Sequence, residues 1–374
     1  MGIMYSFCDI LNAMARQHFV IGVAAVAVLY TSVYVFLSSL RTVTDEGDMH
    51  QGIPLQQPSF AACSLFKRLV LFGTAVKRFV YKRPNRGTSS GIKAQIEAAK
   101  LTDWIDTRTK TIYFIRHGQS MWNLTFNNPY NVIGLLFRVL SMTFAELSFL
   151  FTNDTFFYDS PLSMNGINQA LELCKELSDP NNHRCAEMQV LTRASGQRSA
   201  LFTSNLRRAQ STILLALQDR LSHTGERVYV CNELEELVPH PDCVSLSTSV
   251  KTAVIPFLEV MMIPDKARTY SQHLQQTDGP VVSHLPVYDK MLMFNERVFK
   301  QPEEAIVVCG HSRWLLDYLN IFLPQGATDM EYCKTKIGNT DTLRFDLVRR
   351  EFKNGEVYYV IDPHSVKLVY KSAT

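Results

Sequence analysis

The sequence predicts a three-layer α/β/α domain with a mostly parallel sheet, running from about Ile105 to the C-terminus and preceded by one membrane-spanning helix. Three observations carry this. Four short apolar runs of β character are each followed at once by polar, chemistry-bearing residues, the pattern of parallel strands whose C-terminal ends line a ligand crevice. Between the first two lies a stretch with helical spacing and a capping serine. Far upstream, Phe19 to Leu40 contains no charged residue.

From the N-terminus, residues 1–18 form a tail. Residues 19–40 are mostly Val, Ala, Leu, Tyr and Phe, and their length suits a bilayer core, which needs about 20 residues. Residues 41–104 form a juxtamembrane and linker region. Between Gln51 and Gln95 it has no acidic residue but has Lys67, Arg68, Lys77, Arg78, Lys82, Arg83, Arg86 and Lys93, interleaved with apolar residues such as Leu69, Phe72 and Phe79. Such a stretch suits an anionic membrane surface. Pro84 to Gly91 is the clearest linker. The basic run favours a cytosolic catalytic domain on a single-pass membrane protein. A glycan on the sequon Asn123-Leu124-Thr125 would obstruct the chemistry described below, which argues the same way.

The first β run, Thr111 to Ile115, leads into Arg116-His117-Gly118. A neutral imidazole at a strand end can attack phosphorus, and an adjacent guanidinium can hold phosphoryl oxygens with a planar fork of donors. In Asp159 to Ala170, Ser163 is expected to cap a helix beginning near Met164 and continued by Gln169, Leu173 and Leu177; this segment reads as scaffold. The second run, Ala200 to Ser204, precedes Asn205-Leu206-Arg207-Arg208. The third, Val228 to Val230, precedes a stretch with Glu233, Glu235 and Glu236. The fourth, Ala305 to Cys309, precedes Gly310-His311-Ser312. As neighbouring parallel strands these would gather two histidines, two arginines and a carboxylate, a set able to transfer a phosphoryl group through phosphohistidine.

At this point the chain resembles a known family. Arg116 to Asn123 (Arg-His-Gly-Gln-Ser-Met-Trp-Asn) is similar to the RHGxSxWN signature of the histidine phosphatase superfamily, in the branch named after phosphoglycerate mutase. Asp159-Ser160-Pro161-Leu162-Ser163 with Gly166, Gln169 and Ala170 resembles a second family segment, Ser204 to Ala209 a third, and His311 the second histidine. The ordered likeness covers roughly Thr109 to Leu347. It implies His117 as nucleophile and His311 as a donor to the phosphoryl group. It implies Arg116 and Arg208 as the phosphate clamp, with Asn123 as a further phosphate donor. Family spacing from Ser204 selects Arg208 over Arg207, which is then expected at the surface. The family pattern after the third strand selects Glu236 as proton donor, with Glu233 as runner-up. Val238 to Asp242 departs from the usual continuation of that loop, so the loop gives no guide to substrate.

Two segments look like insertions. Residues 127–158 are very apolar and carry Arg138 and Glu146, suggesting a lid helix, a membrane-resting hairpin or ordinary core packing. Residues 240–302 are irregular, with Lys251, Lys266 and Arg268 as candidate contacts to an anion.

The expected function is metal-independent hydrolysis of a phosphomonoester through phospho-His117, with a phosphorylated small molecule, lipid or phosphoprotein as substrate. The alternatives are a phosphoglycerate mutase-type transfer and a catalytically silent, membrane-tethered binding module. No cofactor and no metal are expected. The net charge of +3 is too small to argue for nucleic acid. The eight scattered cysteines, without a C-x-x-C pair, read as buried or free thiols.

Overall fold

A computed structural model describes Gly73 and residues 104–126, 132–149, 155–179, 186–238, 240–246, 272–277, 285–324, 326–327 and 331–373. The expected anchor at 19–40, most of the basic run, and Lys251, Lys266 and Arg268 lie outside the described residues. Among those described, no helix is long and apolar enough to cross a membrane.

The chain enters on β1 (Trp104–Arg116). Next come the short α1 (Met121–Phe126) and α2 (Val132–Ser148). Then follow α3 (Met164–Ser178), α4 (Ala186–Thr192), β2 (Ser199–Ser204), α5 (Arg207–Ala216) and α6 (Gln218–Thr224). After β3 (Val228–Cys231) come two short 3-10 turns, Asn232–Leu234 and Pro241–Cys243. The edge strand β4 (Leu274–Gln276), α7 (Val287–Phe299), β5 (Ala305–Gly310), α8 (Ser312–Phe322) and α9 (Glu331–Lys334) precede β6 (Thr342–Phe352), β7 (Val357–Ile361) and β8 (Lys367–Tyr370).

The strands make one mixed sheet in the order β4-β3-β2-β5-β1-β6-β7, with β8 also on β6. Pairing is parallel from β4 through to β1 and antiparallel beyond it. The four apolar runs are therefore neighbours, in the order β3-β2-β5-β1. Side chains alternate between the faces. Tyr113, Ile115, Leu201, Val228 and Val307 join one core with Ile167 and Leu173 of α3 and Ile213 and Leu214 of α5. Ile112, Phe114, Phe202, Ile306 and Val308 join a second core with Phe294 of α7 and Trp314 and Tyr318 of α8. Helices thus cover both faces, giving three layers.

Three features depart from the sequence reading. First, β1 begins well before Thr111, because its polar N-terminal half pairs only with β6. Second, the antiparallel edge lacked a continuous apolar run; its signal is the alternation of Leu343, Phe345 and Leu347 with Arg344 and Asp346. Third, the stretch 240–302 is not simply an irregular insertion. Its described parts supply β4 and α7, and Met291, Phe294 and Val298 of α7 belong to the second core.

Ser163 does cap α3: its side chain accepts from Gly166 N, and Gln169, Leu173 and Leu177 are buried along the helix. The start of α3 lies tightly against the loop after β1. A Cβ on Gly118 would come 2.5 Å from Gly166 O, and one on Gly166 would collide with the Gln119 carbonyl. The backbones themselves are in contact, so there is no flexible side chain to yield.

Gly166→Ala is therefore expected to destabilise the domain by about 1–3 kcal/mol or to displace the loop carrying His117. Met164→Ser, at an exposed position in the same turn, should stay within about 0.5 kcal/mol. Urea unfolding midpoints of the two variants against wild type check this.

Candidate active site

The site assembles where β1 and β5 end together. The parallel register sets Arg116 opposite Gly310, and His117 N donates to Gly310 O at 3.0 Å. His117 and His311 thus leave the sheet side by side, ring centroids 5.0 Å apart and planes at 59°. Both rings are buried.

His117 Nδ1 lies 2.7 Å from the carbonyl oxygen of Gly118. A carbonyl only accepts, so Nδ1 carries the proton and Nε2 keeps the lone pair. This is the tautomer an attacking imidazole needs. Burial, with Arg208 and Arg116 nearby, holds the ring's pKa well below the usual value, so it is neutral at pH 7. Backbone contacts hold the loop itself. Asn339 Nδ2 donates to His117 O at 2.7 Å, Gly118 N donates to Thr212 Oγ1 at 3.0 Å, and Thr340 N donates to Arg116 O at 3.0 Å.

His311 Nε2 lies 2.8 Å from Ser204 Oγ at the end of β2, while its Nδ1 is buried without a partner. The Ser204 hydroxyl has two acceptors in reach, Asn205 Oδ1 at 3.4 Å and the closer His311 Nε2; when it donates to Nε2, Nδ1 is the N–H left to serve a ligand. Burial and the charges of Arg208 and Arg116, together with His117, hold this pKa well below normal as well.

Arg116 donates from Nη1 to Ile337 O at 2.5 Å, and its Nε is buried and unpartnered. Arg208, in the first turn of α5, is fully enclosed. Its Nη1 donates to Asp242 O at 2.7 Å and lies 3.4 Å from the Asp242 carboxylate, while Nη2 faces Cys243 Sγ at 3.7 Å. Its Nε is also buried without a partner. Burial works against the Arg208 charge, but Asp242, Cys243, Glu236 and Asp159 outweigh it and raise the pKa.

Glu236 is buried, and burial raises its pKa against the opposing pull of Arg208 and of Leu237 N, which donates to Oε1 at 2.8 Å. A carboxyl in that state is suited to hold a proton and release it. The other two glutamates are occupied elsewhere. Glu233 Oε1 accepts from Arg297 Nη2 at 2.6 Å, and Glu235 faces the buried Lys290 at 3.4 Å. None of the three stands on a solvated turn. Asn123 sits on α1, half-buried, next to Trp122, whose ring lies 6.0 Å from that of His240 at their centroids.

One expectation fails. Arg207 is not at the surface. It is buried, with Nε donating to Asp159 O and Nη2 to Thr155 O. Asp159 in turn accepts from Arg207 N at 2.8 Å and from Leu246 N at 2.9 Å, on a backbone with φ of 45°. The two adjacent arginines divide the labour: Arg207 ties down the segment leading to α3, and Arg208 faces the histidines.

The sequence reading missed Ser204 as the partner of His311, Asp242 as the partner of Arg208, and Asn339 as the clamp on His117. Ser204 lay within a quoted motif. Gly338 to Asp341 has the composition of a turn, the one signal for Asn339. Among the described residues no cluster of three or more His, Cys, Asp or Glu is arranged to hold a metal ion. Five of the cysteines are described, all buried and none in a disulfide.

No family model and no curated protein matches the sequence. Solved structures similar to it include a phosphoserine phosphatase variant from Entamoeba histolytica in complex with phosphoserine. That chain is 18% identical, with 67% of this chain and 94% of that one covered and a TM-score of 0.29. Another is the ecdysone phosphate phosphatase of Bombix mori in complex with tungstate, 12% identical, covering 71% and 96%, with a TM-score of 0.32.

The two arginines differ in what their removal costs. Arg207→Ala should lower stability by about 2–4 kcal/mol, because two buried carbonyls lose a charged donor, and leave the turnover of the folded protein nearly unchanged. Arg208→Ala should also lower stability, because the buried Asp242 loses its partner, but in addition the folded protein should lose about 10²–10³-fold in turnover if Arg208 clamps a transferring group. Thermal midpoints and rates on a phosphomonoester, measured on both variants, separate the two roles.

Proposed function

We propose that the protein is a phosphomonoester hydrolase that works through a phosphohistidine on His117. The observation that carries this is a set of buried side-chain nitrogens with no partner among the described residues, beside a neutral imidazole: Arg116 Nε, Arg208 Nε and His311 Nδ1, the last an N–H in the tautomer that accepts from Ser204. Leaving a buried donor unsatisfied costs about 1–3 kcal/mol each, more when it is charged. An oxyanion with three equatorial oxygens would satisfy them together, and two guanidiniums match its charge.

In this reading Nε2 of His117 attacks phosphorus, and the bond from phosphorus to the ester oxygen breaks. Arg116, Arg208 and His311 stabilise the charge on the equatorial oxygens. Asn123 adds a donor from α1. Glu236 gives its proton to the leaving oxygen. Water then attacks the phosphohistidine. The Glu236 carboxylate takes the water's proton, inorganic phosphate leaves, and both side chains return to their starting states. No step uses a metal or cofactor. Asp242 fixes the Arg208 guanidinium without touching the substrate.

The placement in the cell belongs to the same reading. The uncharged segment 19–40 supports a single-pass anchor, and the basic run after it supports a cytosolic catalytic domain.

Wild-type protein quenched during turnover of a 32P-labelled substrate should carry an acid-labile, base-stable label that His117→Ala lacks. A label on serine or cysteine would overturn the mechanism. The pH dependence of kcat/KM should be bell-shaped. Its acid limb belongs to His117, which must be neutral and whose pKa lies below the ordinary 6.5. Its alkaline limb belongs to Glu236, which must be protonated and whose pKa lies above the ordinary 4.5. Activity is thus lost as pH falls through the first and as it rises through the second. Glu236→Gln should abolish the alkaline limb and slow phosphorylation of His117 by alkyl phosphates, while sparing that step with aryl phosphates, whose leaving group needs no proton; hydrolysis of the phosphohistidine, which uses the Glu236 carboxylate, should slow for both.

A further inference from the structure

The strongest feature outside the site is the outer face of α2, the helix of the apolar segment between the first two motifs. Phe137, Leu140 and Phe144 are 66%, 45% and 70% exposed. Their spacing of three and then four residues sets them on one side of the helix. Ser141, on the same side, is exposed and uncharged. Aromatic side chains this exposed, grouped on one helix, mark an interaction surface more often than a solvated one.

The charges of this helix show the same design from the other side. Its 17 residues contain only two ionisable groups, Arg138 and Glu146, and both are directed inward. Arg138 Nε donates to the Thr125 carbonyl on α1 at 3.1 Å. Glu146 is buried and accepts from Thr155 Oγ1 at 2.8 Å and from Phe156 N at 2.6 Å. The outward face therefore presents no charge. A face built to meet another protein commonly carries a charged rim that sets register and partner choice; a face resting in lipid has no such need.

We infer that this face of α2 lies on the bilayer, so that the catalytic domain rests on the membrane through Phe137, Leu140 and Phe144. The sequence names this occupant. The same chain carries an uncharged, bilayer-length segment at 19–40 and an acid-free basic run within 51–95. A tether holds the domain at high effective concentration beside the lipid, so a small apolar face suffices for docking. Aromatic and leucine side chains suit burial at the boundary between headgroups and acyl chains. The inner side of α2, through Arg138, packs on α1, the helix that carries Trp122 and Asn123, so docking of the outer face would hold α1 at a fixed depth. The inference rests on the anchored reading above and is independent of the chemistry at His117.

The test uses the full chain in vesicles of phosphatidylcholine and phosphatidylserine, with Phe144→Trp or Phe137→Trp as reporters. Asn354→Trp, exposed in the turn between β6 and β7, is the reference. The wild-type signal, from Trp104, Trp122 and Trp314, is subtracted. A nitroxide-labelled lipid should quench the added tryptophan at 144 and at 137 and leave that at 354 unquenched. Flotation with the vesicles but no quenching at 144 and 137 would overturn the docked face and leave the anchor standing. Blue-shifted, unquenched emission that depends on protein concentration would overturn it in favour of a second copy of the chain. Protein that fails to float would overturn the anchor and the docked face together. Phosphatase activity, assayed separately on a soluble substrate, should be unchanged in the 144 and 137 variants.

Discussion

The parallel pairing of β1 with β5 is the constraint on which the site depends. With Arg116 opposite Gly310, the residues that follow each strand emerge at the same level, and two imidazoles meet at 5.0 Å without any long loop having to fold correctly. A one-residue slip would move every side chain of β1 to the opposite face. It would expose Phe114 and Ile115 to the wrong cores and break the bond from His117 N to the Gly310 carbonyl. The same apolar contacts that fix the register therefore fix the nucleophile. Gly310 belongs to this constraint as well, since a Cβ there would press to 2.7 Å from the Phe114 ring.

Burial lowers the pKa of both histidines, and the two arginines beside them lower it further. Guanidiniums stay charged under almost any burial. The imidazoles, whose protonated forms would be repelled, stay neutral. An incoming dianion would reverse part of that field, strengthening donation from His311 at the moment charge develops. Asp242 keeps the arrangement from being self-defeating. It supplies Arg208 with a counter-charge in the unliganded state while leaving Nε unpaired.

Much of this was legible in the chain, for a physical reason. A parallel strand covered on both faces is mostly apolar, and polar residues gather at its end. The pairs Ile115/Arg116 and Cys309/Gly310 mark strand ends in the sequence as clearly as in space. The Ser163 cap was legible too, because capping is local. What failed was whatever depends on tertiary partners. The burial of Arg207 rests on carbonyls of Asp159 and Thr155, about fifty residues away, and backbone acceptors leave no trace in side-chain pattern. The role of α7 was hidden for a related reason: Lys290 and Asn295 are wholly buried polar residues that break its apolar stripe.

The sheet order also explains why the proposed proton donor is the hardest member of the candidate site to place from sequence. Along the sheet the groups come from β1, β5, β2 and then β3, carrying His117, His311, Arg208 and Glu236 in that order. Three strand spacings separate β1 from β3, roughly 14 Å. A residue directly at the end of β3 would be far from the ester oxygen of a group bound at His117. The carboxylate must come from a loop that doubles back, and the 3-10 turn at Asn232–Leu234 starts that return. Glu233 lies within the turn itself and is spent on Arg297. In the proposed mechanism it is the engagement of Glu233 with Arg297, and of Glu235 with Lys290, that leaves Glu236 for the proton.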